Sequence, residues 1–147
     1  MARPRDIRTL AFTALFQLDA AEGDNLDTVR AWVEHFEADE HGVKFEPRDR
    51  RKAMATAEGA WASRREADTA FRELSPEWPA HRMPAADRAV LRLAHYEMTQ
   101  TTNEPKAIVN EAIELAKTFG TERSPGFVNA LLDAILKQVL AQREGAA

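Results

Sequence analysis

Between Pro105 and Gly120, the apolar residues Ile108, Val109, Ala112, Ile113, Ala116 and Phe119 are set apart by steps of one and three. Only a helix of about 3.6 residues per turn brings such positions onto one face; a strand needs strict alternation. The same spacing recurs at Ile7, Leu10, Ala11, Ala14, Leu15 and Leu18 and again at Val29, Trp32, Val33 and Phe36, while Ala86, Val90, Ala94 and Met98 follow at helical steps of four. Leu91 and Leu93 flank that last stripe. No stretch alternates in the manner of a strand, so the pattern predicts an all-α fold.

Helix punctuation places the elements. Pro4 suits the first helical position, where a missing N–H costs nothing, and the helix it opens is expected to run to about Ala20 before Glu22-Gly23-Asp24-Asn25. Asp24 or Asn25 caps a second helix expected from Leu26 to Ala38. A polar connection leads into a longer helix expected from Pro47 to about Leu74, with Met54, Ala57, Trp61, Ala67 and Phe71 available for burial. "LSPEWPAHRMP" holds three prolines in eleven residues and must interrupt helical order. It is expected to divide the chain into helical subdomains of about 3–75 and 76–143. In the second of these, helices are expected over about 84–101 and 105–119, with Gly120 as the stop. Ser124-Pro125 caps a last, broadly apolar helix that is expected to be central.

Composition removes several function classes. The chain has no cysteine, which excludes disulfides, thiolate zinc sites and cysteine nucleophiles. No apolar run approaches the roughly 18 residues of a membrane span. The basic opening followed by Leu10–Leu18 resembles a signal peptide only superficially. Thr13 and Gln17 interrupt the apolar run, and Asp19-Ala20-Ala21-Glu22 is a poor cleavage site. A cytoplasmic protein is the expectation. With 20 basic residues against 24 acidic ones, the net charge is -4, so contact with nucleic acid must come from a local basic patch.

Such a patch is present on the first helix. Arg5, Arg8, Phe12 and Phe16 follow one another at steps of three, four and four, on an arc beside the core stripe. Guanidinium forks bind phosphate and aromatic faces accept unstacked bases, a combination suited to single-stranded RNA. The alternative is that both phenylalanines widen a buried face while the arginines are ordinary solvated charges. Asp6 weakens the patch by sitting among the arginines.

Other constellations are weaker. "HFEADEH" gathers His35, Glu37, Asp39, Glu40 and His41, but the two histidines are six apart and share no helix face, so a solvated acidic turn is the expectation rather than a metal site. Glu111 and Glu114 lie one turn apart, and Lys117 is placed to pair with Glu114. Arg88, Arg92 and His95 form a second basic stripe, expected to serve intramolecular ion pairing. No phosphate loop or nucleophile elbow occurs, so neither a catalytic site nor a cofactor is expected.

The order and spacing of "DRAVLRLAHYEM", "EPKAIVNEAIELAKTFG" and "FVNALLD", with an arginine-rich start and "ALFQL", resemble the NusB family of bacterial transcription antitermination factors. The resemblance spans about residues 3–137 and is strongest from Asp87 to Asp133. It implies a NusB-like bundle of about seven helices in two packed subdomains, without catalytic activity or metal. It implies binding of boxA RNA from ribosomal RNA leaders, as a heterodimer with the ribosomal protein acting as NusE, within the RNA polymerase antitermination complex. Some members self-associate, so a homodimer is among the assemblies implied. Carried over by position, Arg3, Arg5 and Arg8 match the family's arginine-rich segment and Phe16 matches an aromatic near the RNA. Asp87 matches an acidic position at the RNA and partner surface, and Arg123 and Phe127 fall in the adjoining loop and helix start. Two alternatives remain at this point: an interaction or dimerisation module without RNA binding, and the RNA-binding module of a ribosomal RNA methyltransferase. Asn110 and Asn129 belong to the motifs and are expected to be buried hydrogen-bonding elements.

Overall fold

The structure is a computed structural model and describes residues 1–146. Among these, seven α-helices follow one another: α1 (Pro4–Ala20), α2 (Leu26–Glu34), α3 (Pro47–Ala62), α4 (Arg64–Leu74), α5 (Ala85–Gln100), α6 (Pro105–Phe119) and α7 (Ser124–Ala146). The proline-rich segment before α5 holds only a 3₁₀ turn at Ala80–Arg82. A single antiparallel bridge, Ala38 to Lys44, is the extent of β pairing among the described residues. No described helix is long and apolar enough to cross a membrane. The all-α expectation holds.

The chain forms two compact clusters, Met1–Ala62 with α1 to α3 and the residues from Ser63 onward with α4 to α7. The sequence suggested a division at the prolines near residue 75, and the boundary lies earlier because the helix expected over 47–74 is two helices. The carbonyl of Ser63 accepts the N–H groups of Glu66 and Ala67 and so begins a new helix. Ala53, Ala57 and Ala60 are buried where α3 packs on α1, whereas the α4 residue Phe71 meets His95 of α5.

In the first cluster α1 packs along α3 and more briefly on α2. The buried faces are rich in small residues: Ala11 and Ala14 of α1 and Ala53, Ala57 and Ala60 of α3 are fully buried, as are Leu15 and Leu18. Alanines let two helix backbones approach closely, and each buried leucine contributes about 1.5–3 kcal/mol. The Asp6 carboxylate accepts the backbone N–H and the guanidinium of Arg3 at the start of α1, and Pro4 occupies the first helical position as expected. The chain reverses after α1 at Gly23, whose φ of +84° and position against Trp61 both demand glycine, since a Cβ would lie 2.8 Å from the indole nitrogen. Helix α2 ends at Glu34 rather than at Ala38. The cause is local: Phe36 packs at 5.0 Å on Trp32 and at 5.4 Å on Phe45, and Asp39 Oδ1 accepts the N–H groups of His41 and Val43, which folds a tight loop.

In the second cluster α5 is the central element, in place of the expected α7. Every residue from Ala89 to His95 is buried, with α4, α6 and α7 packed around it. Glu104 accepts the Ala107 N–H and Pro105 starts α6, so that helix begins and ends where its sequence indicated. Gly120 ends α6 for a steric reason rather than a left-handed one. Its φ is -93°, and a Cβ there would lie 2.4 Å from Ser124 Oγ and 2.7 Å from the Ala116 carbonyl oxygen. Ser124 is itself the first residue of α7, and its Oγ accepts the Thr121 N–H. Near the far end of α7, Arg143 donates to the Met98 carbonyl at 3.4 Å, one of the last-turn carbonyls of α5 that lack a helical partner.

Candidate nucleic-acid interface

The first cluster carries the arginine-rich opening of α1. Arg3 and Arg5 are exposed and Arg8 is half-buried, so all three line the first two turns. Arg3 is held by Asp6: the carboxylate accepts the Arg3 N–H at 2.8 Å, Nε at 3.1 Å and Nη2 at 3.2 Å. That pairing raises the Arg3 pKa and, chiefly through the side-chain hydrogen bond, lowers the pKa of Asp6. Asp6 thus neutralises one of the three cations and fixes the start of the helix that carries the others.

The aromatics that follow separate. Phe16 is 39% exposed whereas Phe12 is 3% exposed, with ring centroids 6.2 Å apart. The expectation of two accessible rings is corrected for Phe12, which belongs to the buried face. A spacing of four keeps both on one side of a helix, and only packing tells them apart.

The second cluster holds the remaining positions. Asp87, in the first turn of α5, is 4% exposed, and its Oδ1 has no hydrogen-bond partner within the described protein. It is therefore a sequestered carboxylate rather than a surface acid. Arg123 is exposed in the turn before α7, where its N–H meets Thr121 Oγ1 at 3.3 Å. Phe127 is half-buried, its ring 6.2 Å from that of Trp78 at an interplanar angle of 70°. Trp78 is 46% exposed and did not figure among the residues singled out in the sequence. Its signal was there: a large aromatic in a proline-rich connection, with no helical stripe to serve.

Several secondary expectations can also be placed. Arg92 pairs with Asp68 at 2.8 Å, and Arg88 donates to the Ala80 and Met83 carbonyls, so this stripe serves the fold. Lys117 pairs with Glu114 at 3.3 Å. His35 bonds to the Ala31 carbonyl and His41 approaches Glu40, and no group able to hold a metal forms among the described residues. Asn110 and Asn129 are exposed, which corrects their reading as buried elements.

Known proteins place this arrangement in context. Residues 5–137 match the NusB family. The chain is 38% identical over 136 residues to the transcription antitermination protein NusB of Herpetosiphon aurantiacus, covering 90% of this chain and 88% of that one. The solved structure of T. maritima NusB superposes with a TM-score of 0.78 at 32% identity, covering 93% of each chain. A structure of the antitermination factors NusB and NusE in complex with dsRNA shares the fold, with a TM-score of 0.74 at 23% identity over 91% of this chain and 96% of that one.

Proposed function

The chain belongs to the NusB family, and we propose from that premise that it acts as a transcription antitermination factor that binds boxA-type RNA together with the ribosomal protein that serves as NusE. The observation that carries the RNA-binding part is the α1 arc. Arg5 and Arg8 stand one turn apart, with exposed Phe16 further along the same side and the core stripe buried beside them. Cations that hold phosphate and a ring that accepts a base are the two components of single-strand recognition. The exposed Trp78 beside Phe127 supplies a further stacking surface in the second cluster. The reading assigns no reaction to the chain and places it in the cytoplasm, with its RNA, its ribosomal partner and RNA polymerase.

The test is a salt titration of binding to single-stranded boxA RNA, with and without the ribosomal protein and with a duplex of the same sequence as control. Each phosphate contact contributes about 0.7 to the slope of log K against log salt on a single strand. Alanine at both Arg5 and Arg8 is expected to lower that slope by about 1.4. An unchanged slope would falsify the arginine face and leave a protein-interaction module in its place.

A further inference from the structure

A second group of cations stands on α3 within the same cluster. Arg48, Arg51 and Lys52 are all exposed, and their spacing of three and four places them on one face of the helix. Acid does not neutralise them. Asp49, the one carboxylate between Arg48 and Lys52, is buried and turned back to accept the Glu46 N–H at 2.9 Å; Glu46 itself is exposed ahead of the helix, and Glu58 further along is taken by Arg30. Among the described residues none of the three cations has a carboxylate within ion-pair distance. Arg50 points elsewhere and donates to the Phe45 carbonyl.

The topology brings this face to the arginine end of α1. Gly23, just beyond the end of α1, lies against Trp61 near the end of α3, and the two helices pack along their lengths. They therefore run parallel. At 1.5 Å per residue, Arg8 lies ~18 Å before the end of α1 and Arg51 ~17 Å before the end of α3. The two sets of cations stand at about the same height on neighbouring helices. In a chain of net charge -4 this local concentration of positive charge suits a polyanion such as an RNA backbone.

We infer that the Arg48–Arg51–Lys52 face of α3 is a second phosphate-binding track, which holds the backbone of the single-stranded RNA that flanks the element bound at α1. The inference rests on the RNA-binding reading above and adds to it a sequence-independent site for the flanking strand. The side-chain charges provide the attraction.

The experiment measures the salt slope of the R48A/R51A/K52A variant on two RNAs, one trimmed to the boxA element and one extended by several nucleotides at each end. On the extended RNA the slope is expected to fall by about 2, from three lost phosphate contacts of about 0.7 each. On the trimmed RNA it is expected to remain at the wild-type value. The charge-preserving R48K/R51K/K52R variant is expected to keep the wild-type slope on both, and circular dichroism is expected to show an unchanged fold. An unchanged slope on the extended RNA, while R5A/R8A still lowers it, overturns the α3 track and leaves the proposed function standing. Equal losses on both RNAs overturn the assignment to the flank. Weakened binding of the ribosomal partner at an unchanged RNA slope assigns the face to protein instead. If R5A/R8A also has no effect, the RNA-binding reading fails and the track with it.

Discussion

Arg92 of α5 reaches Asp68 of α4 with both arms of its guanidinium, Nε to Oδ1 at 2.9 Å and Nη2 to Oδ2 at 2.8 Å, while its own side chain is only 9% exposed. Two parallel hydrogen bonds fix the register of α4 on α5 as well as neutralising the charge. Removing the acid alone takes both of these hydrogen bonds from a buried guanidinium. Asp68→Ala is expected to cost about 2–3 kcal/mol in urea unfolding, below the value for a fully buried pair because the Asp68 side chain is 28% exposed. The double variant Asp68→Leu with Arg92→Met is expected to recover much of that loss.

His95 makes the second cluster sensitive to acid. It packs at 5.8 Å on the ring of Phe71 in α4, the helix that also carries Glu66 and Asp68, with Arg92 one turn before it on its own helix, and its buried Nδ1 has no hydrogen-bond partner among the described residues. Burial, the largest influence, lowers its pKa against the opposing pull of Glu66 and Asp68. The unfolded chain therefore takes up the proton first as pH falls. The stability His95 lends is complete above its unfolded pKa of about 6.5 and declines from there down to the lower folded value. Thermal unfolding of the wild type is expected to weaken between pH 7 and 5, and His95→Leu is expected to flatten that slope.

Gly120 is fixed by space. Gly120→Ala is expected to destabilise by about 1–3 kcal/mol, because the new methyl meets Ser124 and the Ala116 carbonyl. Adding Ser124→Ala is expected not to rescue it, since the Ser124 Cβ at 2.5 Å and the backbone oxygen at 2.7 Å remain. Full rescue by that second change would show that the hydroxyl alone sets the constraint.

Asp6 sits among the arginines of the proposed RNA face. Asp6→Asn is expected to strengthen RNA binding severalfold at low salt, by removing a negative charge and loosening Arg3, and to lower the melting temperature slightly as the Arg3–Asp6 pairing at the helix start weakens. Weaker binding in that variant would mean that the ordered start of α1 matters more than its charge.

Trp78 is expected to act through stacking. Trp78→Ala should weaken RNA binding by about 1–3 kcal/mol with the salt slope unchanged, because a stacked base displaces no counterions. A change in slope would point to a lost neighbouring cation instead.

The helices were legible where sequence and sterics agree, and α6 shows why. Glu104 caps, Pro105 starts and Gly120 stops, each by a mechanism local to a few residues. The break at Ser63 was not legible, because neither glycine nor proline marks it and its cause is the separate burial of α3 and α4. The candidate site divides the same way. The arginines of α1 could be read from spacing, but the different fates of Phe12 and Phe16 depend on neighbours that the helix period does not reveal. Asp87, Asn110 and Asn129 show the same limit: a polar residue in an apolar motif does not declare which way it turns.

The alanine seam between α1 and α3 separates two kinds of tolerance. On the outer side of α1 and α3, charge can be gained or lost with little effect on the fold, since exposed substitutions usually change stability by less than about 0.5 kcal/mol. At the fully buried Ala11, Ala14, Ala53, Ala57 and Ala60 a larger side chain must displace packed neighbours. Ligand preference can therefore be retuned along the outer faces of these helices, residue by residue, while the shape that displays it resists drift.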